Sequence, residues 1–269
     1  MQTQLLVGTF LGVLVGYLAW RFHALSRSGA WAAGAVGALI FGLGGISWAI
    51  LLLTFFVSSS ALSRAFARRK ATLSEKFAKG SQRDWGQVLA NGSLGAFLVI
   101  IQFFYQGSIW PWLAFAGAMA AVNADTWATE LGVFSSSRPR LITNGKPVDS
   151  GTSGGVTLLG YLAALGGALL IGLVALPFTN EMAGLTLLGV IALAGLSGST
   201  FDSFLGATVQ AIYYCPHCQK ETERHPDHTC GSGTRQIKGW GWLNNDLVNF
   251  ACSLVGALLV TGLVWLLIK

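Results

Sequence analysis

Four carboxylates stand where a carboxylate is expensive. Only 11 Asp and Glu occur in 269 residues; Asp125, Glu130 and Asp202 fall within long apolar runs, and Asp246 opens another. A carboxylate in a segment that enters a membrane is costly, so it marks a site or a specific pair. The first cluster reads Asn123-Ala124-Asp125-Thr126-Trp127-Ala128-Thr129-Glu130. At about 100° per residue, Asn123, Asp125, Thr126, Thr129 and Glu130 fill one helical arc of roughly 160°. In the second, Ser199, Asp202 and Ser203 share a face with Gly195, Gly206 and Gln210, and those glycines admit a close neighbour. The third is Asn244-Asn245-Asp246, with Asn249 one turn later. Carboxylates with amide and hydroxyl oxygens suit a hard divalent ion such as Mg²⁺, so Asp125, Asp202 and Asp246 are the expected ligands, with Glu130 beside them. The competing reading is helix-to-helix hydrogen bonding, or a buried pair with Lys or Arg. No basic residue lies inside an apolar run, which weakens the pairing version.

A second group of residues could receive phosphate. Asn144-Gly145-Lys146 is followed by Gly151-Thr152-Ser153-Gly154-Gly155 at the expected start of a helix. Free backbone N–H groups and the positive end of a helix dipole would meet an anion there, with Lys146 as a point charge. An ordinary cap by Thr152 or Ser153 is the plainer reading. The spacing of a P-loop is missing. A third group, Cys215, Cys218, Cys230 and the histidines 225 and 228, has the spacing of a tetrahedral zinc site. His225 and His228 both fit as the fourth ligand, and His228 is taken as the expected one. Four protein ligands leave no open position, so this zinc is expected to be structural.

These residues need elements to hold them, and composition names the kind. The chain is 53% hydrophobic and only 10% charged, with 35 glycines and a mean hydropathy of +0.59. Soluble domains carry about a quarter charged residues, so a soluble globule is excluded. The apolar runs do not alternate as a membrane β-barrel requires. The expectation is an all-α polytopic membrane protein, a single transmembrane domain over residues 1–269. About eight helices are expected, near 3–20, 29–45, 46–63, 86–106, 109–133, 153–176, 183–212 and 245–268, with a re-entrant hairpin as the other option around Gly44-Gly45. The Cys/His loop, 213–241, is inserted between the last two.

Alternation of these spans puts 16 of the 17 Lys and Arg on one side, which the positive-inside rule makes cytoplasmic, and both termini outside. The net charge of +6 is thereby explained by topology rather than by nucleic acid. The segment 64–85 is expected to be a solvated positive loop, or an amphipathic surface helix. A bacterial-type plasma membrane, or an organelle inner membrane, is the expected location.

The stretches Gln87–Gly92, Asn123–Gly132, Gly151–Gly160, Gly198–Gln210 and Asn244–Asn249, in this order, resemble the integral membrane family catalogued as domain of unknown function 92, which includes transmembrane protein 19. A plant member is a phytyl-phosphate kinase of tocopherol synthesis, and Asp125-x2-Ala128-x3-Gly132 is similar to a stretch of dolichol kinases. The resemblance implies phosphoryl transfer from a nucleoside triphosphate, CTP or ATP, to an isoprenoid alcohol or phosphate drawn from the membrane lipid. Asp125, Asp202, Asp246, Glu130 and Lys146 are then the expected catalytic residues. Arg83, Asn91, Asn123, Thr126, Ser199, Ser203, Asn245 and the Gly151–Gly155 turn would bind phosphate or nucleotide. A transporter or flippase of a phosphorylated lipid or small anion, and a cytidylyltransferase-like lipid enzyme, use the same parts. A homo-oligomer is among the expected states.

Overall fold

Eight α-helices form at the expected places: α1 (Gln2–Arg21), α2 (Arg27–Gly44), α3 (Ile46–Lys70), α4 (Trp85–Phe104), α5 (Trp110–Gly132), α6 (Leu158–Ala175), α7 (Gly184–Thr208) and α8 (Asn245–Ile268). The computed structural model describes residues 2–70, 76, 77, 79, 80, 82–179 and 183–268, without the side chains of 67–70 and 268. Among the described residues, six helices can cross a membrane by length and composition: α1, α3, α4, α6, α7 and α8.

Helix α5 falls outside that group by its polar residues, and its position permits them. It packs against α3, α4, α6, α7 and α8, and every residue from Pro111 to Ala124 is buried. A helix sheathed in protein does not meet lipid, so its sequence is free to carry Asn123, Asp125 and Glu130. Its small residues let the neighbours close in. A Cβ on Gly117 would lie 2.4 Å from the Gly256 carbonyl of α8, and one on Gly256 would lie 2.4 Å from the Gly117 carbonyl. Backbone contact of this kind is how membrane helices associate without a hydrophobic drive between them. Toward α3, Trp48 stacks on Phe115 at 4.6 Å and tilts against Trp112 at 5.7 Å.

The hairpin of α1 and α2 packs on the rest through contacts of α2 with α4 and α3. At Gly45 (φ +77°) the chain turns directly from α2 into α3. With 18 and 25 residues these are two full helices, not the short halves of a re-entrant pair.

The connections depart from an all-helical chain. Arg140–Leu141 (β1) pairs antiparallel with Gly155–Val156 (β2). Between α7 and α8 the strands Ile212–Cys215 (β3), Lys220–Thr222 (β4) and Arg235–Lys238 (β5) form a three-stranded sheet with β3 in the middle. Helix α6 therefore starts at Leu158, capped by Thr157, whose hydroxyl accepts from Gly160 N at 3.0 Å. Neither Thr152 nor Ser153 is the cap, because β2 takes the residues just before it.

The segment after α3 is not a merely solvated loop. Lys76 Nζ donates to the Ser150 carbonyl at 2.8 Å, and its own carbonyl accepts from Glu223 N at 2.9 Å. Arg83 N donates to the Ala24 carbonyl at 3.1 Å, and Ser26 N to the Arg83 carbonyl at 3.0 Å. The segment is thus a strap tying together the α1–α2 turn, the β1–β2 hairpin and the three-stranded sheet. All of these connections therefore gather at one end of the bundle. Residues 71–75, 78 and 81, including Lys76's neighbour Glu75, lie outside the described part of this segment.

Candidate active site

At that end lies a cavity of about 960 Å³. Its floor is the inner face of the helix ends and its roof is the strap and the loops. From α5 come Asp125, Thr126, Thr129 and Glu130; from α7, Ser199, Asp202 and Ser203; from α8, Asn245, Asp246 and Asn249. The arcs expected from helical spacing thus converge on one space. Ser199 Oγ donates to Asp125 at 3.3 Å, linking the two helices. Asp202 has the carboxylates of Asp125 and Glu223 as electrostatic neighbours, and its Oδ2 is buried without a hydrogen-bond partner. Asn91, one turn and a half into α4, donates to the Gln87 carbonyl at 2.8 Å, while its Oδ1 is buried without a partner.

The turn Gly151-Thr152-Ser153-Gly154-Gly155 also lines the cavity, packed on the end of α7 rather than opening a helix. Gly154 has φ +80°, and a Cβ there would meet Ala207 at 2.5 Å, so only glycine fits. Ser153 Oγ donates to Glu223 at 2.9 Å, and Gln210 Nε2 donates to the same oxygen at 2.8 Å.

Three cations face these acids. Lys79 bonds both Asp246 and Asp84, the latter at 2.9 Å. Burial alone would lower the Lys79 pKa, but those two bonds outweigh it and raise it. Burial brings Arg83 down to about 10, with Glu130 opposing the shift, so it stays charged at neutral pH. Arg224 lines the cavity from the inserted loop.

Two expected residues are elsewhere. Lys146 is exposed on the outer turn of the β1–β2 hairpin and does not line the cavity. Its carbonyl accepts from Leu141 N, which turns that residue into hairpin backbone. Asn123 is fully buried between helices: it accepts from Ser58 Oγ at 2.9 Å and donates to the Gly167 carbonyl at 2.8 Å. It is a helix-to-helix clamp. Asp246, an expected Mg²⁺ ligand, is paired with Lys79, a residue from a loop rather than from a span. Conversely, Glu223, Arg224 and Lys79 enter from loops where sequence gave them no distinguishing pattern beyond charge.

Beside the cavity, the ligand atoms of Cys215, Cys218, His228 and Cys230 lie within 4.8 Å of one another, a group that could hold a metal ion. His225 is not in that group, and its ring stacks on Tyr213 at 4.5 Å. Glu223 follows β4 of this same sheet directly, so the metal cluster and the cavity wall share one small scaffold.

Comparison with known proteins agrees with this architecture. The chain is 34% identical over 285 residues to Protein PGR of Arabidopsis thaliana, covering 97% of this chain and 96% of that one. It is 30% identical to an uncharacterized membrane protein of Methanocaldococcus jannaschii (76% and 84% covered) and 26% identical to another from a Synechocystis species (82% and 78%). No solved structure matches. The family model described as integral membrane protein DUF92 matches residues 10–257, and with that span the chain belongs to this family of integral membrane proteins.

Proposed function

We propose that the chain is a Mg²⁺-dependent phosphotransferase, moving a phosphoryl group from CTP or ATP to an isoprenoid phosphate or alcohol. The observation that carries the reading is one cavity lined both by carboxylates from α5, α7 and the inserted loop and by Lys79, Arg83 and Arg224. Phosphoryl transfer needs both kinds of group, since catalysis there is positioning and charge neutralisation. The partnerless Asp202 Oδ2 and Asn91 Oδ1 fit a hard cation. Asp125, Asp202 and Glu223 would hold Mg²⁺, which would supply charge neutralisation at the phosphate oxygens. Asp246 is better used in fixing Lys79. Lys79, Arg224 and the Gly151–Gly155 turn would orient the nucleotide phosphates. A phosphate acceptor has a second pKa of about 6, so no strong base is required. Zinc on Cys215, Cys218, His228 and Cys230 would be structural, holding the wall that carries Glu223.

The placement at one end of the bundle, rather than midway, supports an enzyme over a transporter. Purified protein with labelled CTP or ATP should convert an isoprenoid monophosphate to the diphosphate, and EDTA should abolish this. No transfer from either nucleotide, together with movement of the monophosphate across vesicles, would replace the enzyme with a transporter.

Cellular nucleotide reaches the cavity only if the loop end faces the cytoplasm, as the distribution of basic residues supports. A cysteine placed at the exposed Thr143 should react with an impermeant thiol reagent in inverted vesicles and not in intact cells. Labelling from outside would reverse the orientation.

A further inference from the structure

A second cavity, of about 170 Å³, lies beside the first, between the α1–α2 turn, α3 and the strap. Its polar lining is His23, Ser60, Ser63, Arg64, Gln82 and Arg83, with no acidic side chain among the described residues. Ser63 and Arg83 line both cavities, so the smaller one is a side chamber of the larger.

Two donors in this chamber have nothing to donate to. Ser60 Oγ and Arg83 Nη1 are both buried without a hydrogen-bond partner. A buried donor left unpaired is costly, more so when charged, and each such group in a folded protein calls for a ligand or water. The neighbouring acid, Glu130, lines the main cavity, where it accepts from Ser63 at 2.8 Å; it favours the charged form of Arg83 without lining the chamber.

The chamber is also built firmly. The backbone of Arg83 is held on both sides by Ala24 and Ser26, and its guanidinium rests 5.4 Å over the Phe55 ring. Gly29 makes this approach possible, since a Cβ there would lie 2.1 Å from the Arg83 carbonyl. His23 takes the left-handed conformation, φ +57°, unusual for a side-chain-bearing residue. Its Nδ1 lies 3.3 Å from Gln82 Nε2.

The chamber opens at the end of the bundle where Phe22, Trp31 and Trp85 are exposed at the ends of α1, α2 and α4. Exposed aromatic rings at helix ends mark the headgroup layer of a membrane. Arg64 and Arg83, the unpartnered Ser60 hydroxyl and the His23 ring, at headgroup depth, match a phosphate monoester. We propose that the side chamber binds the phosphate of a membrane-borne monophosphate lipid. Its role as the acceptor subsite rests on the phosphotransferase reading; the anion site stands on its own lining.

The test is equilibrium binding to the full chain in detergent, without nucleotide or Mg²⁺. The probes are labelled orthophosphate and farnesyl monophosphate, with farnesol as the uncharged control. Farnesyl monophosphate should bind, orthophosphate should displace it, and farnesol should not. Arg64→Gln should weaken both phosphates by about tenfold or more, through loss of a charge-assisted contact. Ser60→Ala should weaken them with an unchanged melting temperature, because that hydroxyl has no partner in the protein to lose. Orthophosphate binding as tightly as farnesyl monophosphate, with both weakened in the variants, keeps the anion site and assigns it to soluble phosphate. Unchanged binding in both variants, or farnesol binding as well as its phosphate, overturns the proposal. Binding lost in the variants with transfer intact would keep the anion site and remove its acceptor role, whereas binding as expected with no transfer by the wild type would remove the phosphotransferase alone.

Discussion

Asp202→Asn should lower phosphoryl transfer by several orders of magnitude while leaving the protein as well folded as the wild type. The substitution keeps the size of the side chain but removes the charge that would hold Mg²⁺, and losing a preorganised charge interaction of a few kcal/mol costs about tenfold in rate per 1.4 kcal/mol. Folding should not suffer, because Oδ2 has no hydrogen-bond partner to lose and a neutral amide is easier to bury than a carboxylate. Asp125→Asn should behave in the same way, since its bond from Ser199 survives in the amide. Asp246→Asn is the contrast. There the carboxylate pairs with Lys79, so the expected result is a looser strap and a smaller fall in activity, with Asp84 still holding the ammonium. Transfer rates and melting temperatures of the three variants decide this. A fall in stability that accounts for the lost activity in Asp202→Asn would make the carboxylate a packing feature and end the metal reading.

Cys215→Ser should abolish tight metal binding and loosen the inserted sheet without unfolding the helices. Structural zinc supplies roughly 10–16 kcal/mol of apparent binding energy to small sites, so removing one of four ligands takes away much of what fixes this fold. Cys215 ends β3, the central strand, and is fully buried. The consequence should extend into the cavity, because Glu223 follows β4 and clasps Ser153 and Gln210. Metal content near one zinc per chain in the wild type and near none in the variant is expected. Backbone amides of β3 to β5 should exchange faster, those of α5 should not, and transfer should fall along with the sheet. Unchanged metal content and unchanged exchange in 213–241 would show that the ligand set is wrong.

The helices were readable from the sequence because a membrane helix is a local matter. An apolar run long enough to span, broken by glycine, Arg or Pro, needs no knowledge of its neighbours, and every helix lies near its expected span. The convergence of Asp125, Ser199 and Asp202 was readable for the same reason. Helical periodicity fixes which side chains share a face, and alternating topology fixes which ends come together. His228 against His225 was beyond reach: spacing allows both, and only the fold brings His228 rather than His225 into the group with the three cysteines. Asn123 and Lys146 show a different limit. One belongs to a polar cluster and the other to a glycine-rich loop, yet one faces a neighbouring helix and the other faces solvent.

What the tertiary structure alone decided is the loop side of the site. Lys79, Glu223 and Arg224 reach the cavity through a strap and a small sheet whose positions depend on contacts distant in the chain, such as Lys76 to Ser150 and to Glu223. Hydropathy and periodicity carry no information about such contacts, because a charged loop residue is equally at home in water until a packed partner fixes it. The sequence by itself determined the bundle, its polar end and its metal-ligand spacing. The packing of α5 inside the other helices decided which polar residues hold the bundle together and which are left facing the cavity.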